Sequence, residues 1–186
     1  MKQIPSAQQQ SGASLIEILV AVLILSIGLL AMAAMMSYAT LLPKSSANRS
    51  IAISTASNMI ERMRANPSAS PTFSITSYAT STFSVTPGAT ALPGGSTCAY
   101  PACTPTSMAT MDLAVVQQQL NQQLPPAGMT IQITDAVNNE GNLWIIWQEP
   151  ASFSSFSTAN SDNCPAAIVA MNLDPAPRCI YMPFKL

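Results

Sequence analysis

The stretch that decides the fold is Ser11-Gly12-Ala13-Ser14-Leu15-Ile16-Glu17, followed by an apolar run that ends at Pro43. From Ile18 to Pro43 no residue is charged, and Leu15 to Leu42 is dominated by Leu, Ile, Val, Ala and Met. About 20 helical residues cross the hydrocarbon core of a bilayer, so this run is long enough to span one. A cleaved secretory signal has a shorter apolar stretch, about 7 to 15 residues, ending at a small-residue cleavage site. Here the run is longer and flows into further helix. Lys2 is the only charge before Glu17, and Lys44 and Arg49 are the next basic residues. That asymmetry is too weak to set an orientation by itself.

Glu17 is the informative residue. An ionised side chain within the bilayer costs about 2.5 to 3.5 kcal/mol on insertion scales, so a carboxylate heading an unbroken apolar run calls for a functional reason. The plain alternative is a signal anchor whose Glu17 sits at headgroup level.

The segment Ser11 to Glu17 resembles the processing site of type IV prepilins: a glycine, a cut, then an apolar helix with glutamate at its fifth position. The resemblance implies that a prepilin peptidase cuts after Gly12 and methylates the new amine of Ala13, and that Glu17 docks subunits. Such a cut places a cationic amine and the positive end of the helix dipole one turn from Glu17, offsetting part of its charge. In the fibre so implied the same carboxylate can pair with the amine of a neighbouring subunit, a desolvated contact that penalises a misplaced register. Ala13 stands where phenylalanine is commonest in that family, and Ser14 where threonine is commonest. Looser similarity reaches the PilV family of minor pilins, through Ile27-Gly28-Leu29-Leu30 within the span and Glu61-Arg62-Met63-Arg64-Ala65-Asn66-Pro67 at the helix end. A short helix around Met111-Asp112-Leu113 closing at Leu124-Pro125, and a Trp-containing strand followed by paired cysteines, extend that similarity.

Composition narrows the function classes. Charged residues are 8 % of the 186, against about 25 % in ordinary soluble domains, and the mean hydropathy is +0.29. With a net charge of -1 and no run of Lys or Arg, the chain lacks the footprint for phosphate backbones, so nucleic acid is not an expected partner. The absence of histidine removes the usual general base and the commonest metal ligand, and with them most hydrolase and metalloenzyme readings. The acids Asp112, Asp135, Glu140, Glu149, Asp162 and Asp174 are scattered in sequence and read as solvated surface. No enzyme activity, cofactor or metal is expected.

Beyond Pro43 the helix resumes in amphipathic form. Ala52, Ala56, Met59, Ile60 and Met63 fall on one face, with Arg49, Glu61, Arg62 and Arg64 on the solvated side. Asn66-Pro67 supplies a stop, because the residue before a proline is pushed out of helical geometry. The helix so bounded is about 80 Å long, weakened at Gly28 and Pro43. Residues Ser68 to Cys103 read as loop with one hairpin, through the alternations Phe73/Ile75 and Phe83/Val85. Thr104-Pro105 opens a second helix with the stripe Leu113, Val116, Leu120 and Leu124, closed by Pro125-Pro126. Met129 to Thr134 and Leu143 to Gln148 form a hairpin around Asn138-Asn139-Glu140-Gly141-Asn142. Trp144 and Trp147 point to opposite faces, which leaves one of them for the deep core. Cys179 to Phe184 is a third strand and Ala166 to Met171 a candidate fourth.

Four cysteines allow three pairings. Cys98 with Cys103 and Cys164 with Cys179 are favoured, since each pair shares a loop region. A four-cysteine zinc site is the alternative, but zinc knuckles carry two to four residues between ligands, whereas the intervals here are four and fourteen. Disulfides imply export to an oxidising compartment.

The expected architecture is α+β and pilin-like: a long N-terminal hydrophobic helix packed on a small antiparallel β-sheet with disulfide-stapled loops. Residues 1-12 form a leader peptide, 13-43 the transmembrane or fibre-core half of the helix, and 44-186 a periplasmic globular domain that includes its amphipathic half. The expected role is a minor pilin, held in the inner membrane before assembly and on the cell-surface pilus afterwards. Its expected partners are a prepilin peptidase, other minor pilins, the major pilin and a tip adhesin. Two other roles share these features: a minor pseudopilin of a type II secretion system, and a membrane-anchored adhesin or binding module.

Overall fold

A computed structural model describes residues 14–66, 74–84, 98, 103–150 and 162–186. The chain divides into two units, Met1–Pro43 and Lys44–Leu186.

Helix α1 runs Leu15–Ala65 and continues through Gly28 and Pro43. It ends where Asn66 precedes Pro67, the amide of Asn66 still reaching the carbonyl of Arg62 at 3.1 Å. In the second unit, Ala52, Ala56, Met59, Ile60 and Met63 of α1 are all buried, the face expected from their spacing. They join one core with the inner face of a four-stranded antiparallel sheet.

That sheet has the order β1-β2-β3-β4, with β1 Thr80–Ser81, β2 Ala127–Asp135, β3 Glu140–Trp147 and β4 Arg178–Lys185. Its register aligns Met129, Ile145 and Ile180 in one row and Ile131, Leu143 and Met182 in another. Period-two alternation sends these residues and Trp147 to the α1 side. Trp144, Ile146 and Cys179 go to the outer face, where Ile168 covers them. Both tryptophans are therefore buried: Trp147 in the main core, and Trp144 in the smaller outer cluster, its indole N–H donating to the carbonyl of Asn163 at 2.8 Å. Only Trp147 lies in the deep core, as the period-two alternation expects, while the cover on the outer face buries the second indole as well.

Helix α2 spans Pro105–Gln123, with the Thr104 hydroxyl accepting from the Ser107 amide and proline in the first turn. Its buried stripe contains Leu113, Val116 and Leu120, with Leu124 buried just past its end.

Two expectations are corrected. Ala166 to Met171 is not a strand: Ala166–Val169 forms a short helix, α3, whose first turn closes onto the carbonyl of Pro165. Proline followed by two alanines favours a helix start over a ladder. The hairpin expected around Phe73/Ile75 and Phe83/Val85 is also absent in its described part. Ile75–Tyr78 is a 3-10 turn capped by Ser74, and only Thr80–Ser81 pairs, with Ile131 and Thr130 of β2. Phe73 and Val85 lie outside the described residues. The crossing that follows β1 is tight. A Cβ on Gly128 would meet backbone atoms of Phe83 at 2.4 and 2.5 Å, so only glycine fits there.

Candidate functional site

The site expected from the sequence begins at the head of α1. Ser14 precedes the helix, and its carbonyl accepts from the amides of Glu17 at 2.9 Å and Ile18 at 3.3 Å. Glu17 thus sits in the first turn, where free amides and the helix dipole favour negative charge. Gly12 and Ala13 lie outside the described residues. From Ser14 to Thr40 every side chain is exposed, and the most apolar 18-residue window, of mean hydropathy 2.8, is 0 % buried. The hydroxyls along it are turned back on their own helix: Ser26 donates to the carbonyl of Val22, and Thr40 to that of Ser37 at 2.9 Å. Bonded this way, they add little polarity to the apolar surface. A helix apolar all round, with its described side chains exposed, belongs in lipid or among other helices.

At the other end of α1 the structure assembles a polar cluster that sequence reasoning missed. The Arg62 guanidinium donates to Asp112 Oδ1 at 2.9 Å, and the Tyr78 hydroxyl donates to Asp112 Oδ2 at 3.0 Å. Asn66 Nδ2 donates to the Tyr78 hydroxyl and to the carbonyl of Pro105, both at 2.9 Å. The knot ties α1, the 3-10 turn and α2 together. Burial holds the Tyr78 hydroxyl well above its ordinary pKa, opposed by the Asn66 hydrogen bond and reinforced by the nearby Asp112 charge. Asp112 had been read as solvated surface, but it is 5 % exposed. A carboxylate tolerates such burial when an arginine and a hydroxyl take its lone pairs. Arg62, expected on the solvated side of α1, gave no sign in the sequence of this pairing.

Glu149 is buried too, against the same expectation, and Asp162 is half-buried with its carboxylate largely covered. Glu149 accepts from the Trp147 indole at 3.4 Å. Asp162 accepts from Arg178 Nε at 2.6 Å and from the amide of Cys179 at 3.3 Å, with Arg49 at 3.8 Å. Asp135 is half-exposed at the end of β2. The amide and side chain of Asn138, then the amide of Val137, hold its pKa below the ordinary carboxylate value.

The cysteines pair Cys98–Cys103 and Cys164–Cys179, with Cα separations of 4.9 and 5.3 Å. Among the described residues no group of three or more acidic or sulfur ligands converges as a metal site.

Comparison with known proteins agrees with this arrangement. Residues 34–114 match a family described as type IV pilin Tt1218, and residues 8–33 match the prokaryotic N-terminal methylation motif. No curated protein and no solved structure gave a match. The class is that of proteins with a prokaryotic N-terminal methylation motif and an apolar N-terminal helix, here with an α+β unit. Within that class the chain is type IV pilin-like, and that family is a structural one. The methylation motif implies processing by a prepilin peptidase and assembly with other pilins.

Proposed function

We propose that the chain is a minor pilin of a type IV pilus, of the PilV kind, inserted with other minor pilins where a fibre starts or ends. The observation that carries this reading is the fully exposed apolar half of α1 headed by a single carboxylate. In this account residues 1-12 are a leader cut after Gly12, and the Ala13 amine is methylated. Residues 13-43 anchor the chain in the inner membrane and later pack in the fibre, while 44-186 face the periplasm and then the cell exterior. The carboxylate of Glu17 pairs with an N-terminal amine, its own or a neighbour's, once lipid is exchanged for protein. The role is structural: the head offers partner choice, and the helix offers transfer from membrane to filament.

The test is Glu17→Ala. Export and membrane insertion should persist, while the amount recovered in sheared fibres falls strongly relative to membranes. Wild-type partitioning of this variant contradicts the docking role. A parallel count of surface pili and of secreted protein in a deletion strain separates a pilus subunit from a secretion pseudopilin. Loss of pili with normal secretion supports the proposal, and the reverse replaces it with the pseudopilin.

A further inference from the structure

The second unit has a near end and a far end, set by the way β4 runs beside α1. The unit begins at Lys44, and Arg49 on the same helix lies 3.8 Å from Asp162 Oδ1. Asp162 in turn accepts from Arg178 Nε at 2.6 Å and from the Cys179 amide at 3.3 Å, and these two residues open β4. At the other end of the strand, Phe184 and Lys185 line a shallow cavity with Glu61 and Arg64 of α1. Strand β4 therefore follows α1 in the same direction, and the Cys164–Cys179 loop that leads into it lies at the Lys44 end. The β2–β3 turn lies at the far end, where Glu140 pairs with Lys185.

Two apolar side chains stand out on the near loop. Val169 is 60 % exposed and Met171 48 %, while Ile168 beside them is buried against Trp144, Ile146 and Cys179. The loop is fixed by its disulfide, by Trp144 donating to the carbonyl of Asn163, and by Gln148 Nε2 donating to that of Pro175, both at 2.8 Å. Side chains presented on a preorganised loop lose little freedom when they are buried. Val137, exposed at the far end, is a single apolar residue of the kind that needs no partner.

Lys44 is also the first charge after the apolar run, and no acid stands between Glu17 and Glu61. A lysine so placed carries its ammonium to the headgroups of the bilayer that holds the run. Five residues of helix put Arg49, and the loop tied to it through Asp162, about 7.5 Å beyond Lys44. The headgroup layer is about 5 to 7.5 Å thick on each side of the hydrocarbon core, so the loop stands at its outer edge. Lys44, Arg49 and Arg178 at this end are matched by Asp162, Asp174 and the buried Glu149. With charge balanced, attraction to a lipid surface there comes from apolar area.

We propose that the Cys164–Cys179 loop is a second membrane contact, in which Val169 and Met171 enter the boundary between headgroups and acyl chains beside the anchoring helix. Apolar side chains at that boundary bind in proportion to the area they bury. Helix and loop together fix how the unit stands on the bilayer while α1 lies in lipid. The contact rests on the membrane anchoring of the first half of α1 and requires neither processing nor fibre growth.

The test uses the full chain alone in phosphatidylcholine vesicles, in three forms: Val169→p-benzoylphenylalanine, Val137→p-benzoylphenylalanine and Leu23→p-benzoylphenylalanine. Illumination should give lipid adducts from positions 23 and 169 and none from position 137. Adding Met171→Asp should lower the yield from position 169 about tenfold. That yield should be unchanged by salt or by admixed phosphatidylglycerol. Val169 and Met171 are both exposed, so these changes leave the core intact. Lipid adducts from position 23 without any from 169 overturn the proposal and leave the anchoring standing. Equal yields from 169 and 137, an adduct from 169 that needs anionic lipid, or one to a second copy in place of lipid, overturn it likewise. Absence of lipid adducts from position 23 as well overturns the anchoring and the proposal together.

Discussion

The two halves of α1 are one helix in two chemical situations. Between Lys44 and Ala65, the apolar residues Ala52, Ala56, Met59, Ile60 and Met63 find their partners within the chain. Between Leu15 and Thr40 the helix is more apolar still, and none of its side chains is buried. The difference teaches that hydrophobicity in the second half is spent on folding, whereas in the first half it remains available for a surrounding medium. Apolar area contributes about 25 cal/mol per Å² when removed from water, so the exposed apolar side chains of the first half favour a covering medium.

The sharpest way to break the comparison is to shorten one side chain in each half. Met59→Ala leaves a cavity in the core and should cost about 2–5 kcal/mol of head stability, read as a lowered denaturant midpoint in detergent. Leu23→Ala should leave that midpoint unchanged. Equal effects would mean that the two halves are not distinct.

Asp112→Ala should rank next, at about 1–3 kcal/mol, because it removes the carboxylate that accepts from the Tyr78 hydroxyl and pairs with Arg62, leaving Arg62 only its bond to Asn58. The same substitution should loosen the junction of α1 with α2, measured as faster amide exchange near Pro105.

A pH series refines this further. The pKa of Tyr78 is raised in the folded state above its ordinary 10.0, so the native protein holds that proton more tightly than the unfolded chain. Its contribution is intact below pH 10 and declines as the pH rises above that value. Tyr78→Phe should flatten the alkaline arm of the stability curve while losing about 1 kcal/mol near neutrality. The smallest effect is expected at Asp135, whose lowered folded pKa makes its contribution present above the ordinary carboxylate pKa and lost as the pH falls through the lower, folded value. Asp135→Ala should weaken the β2–β3 turn slightly at neutral pH, and the difference from wild type should vanish in strong acid.

How far the sequence could be read follows from how local each feature is. The apolar run, the face of α1, the Thr104 cap and the β2–β3 hairpin are set by periodicity and neighbouring residues, and they emerged nearly in place. Strand β4 begins at Arg178, one residue earlier than Cys179, and β3 begins at Glu140, within the expected loop. What escaped was non-local. Asp112 meets Arg62 and Tyr78 only after α2 folds against α1 and the 3-10 turn, and nothing in its own neighbourhood marks it for burial. The 3-10 turn at Ile75–Tyr78 reads as alternation because a four-residue turn offers too few residues to display its period. Ala166 to Met171 reads as a candidate strand, whereas Pro165 caps a short helix over Ala166–Val169. At the candidate site, the exposure of the apolar half was legible from composition alone. The polar knot behind it was not, because its members come from three separate segments.

The central claim is that the first half of α1 is anchored in lipid and later moves into a protein filament after a cut that frees the amine of Ala13. Mass spectrometry of the chain recovered from sheared fibres tests it most directly. The expected product begins at Ala13 and carries one methyl group on its N-terminal nitrogen, and it is found in the fibres. A chain that retains Met1, or that is found only in membranes, contradicts the account.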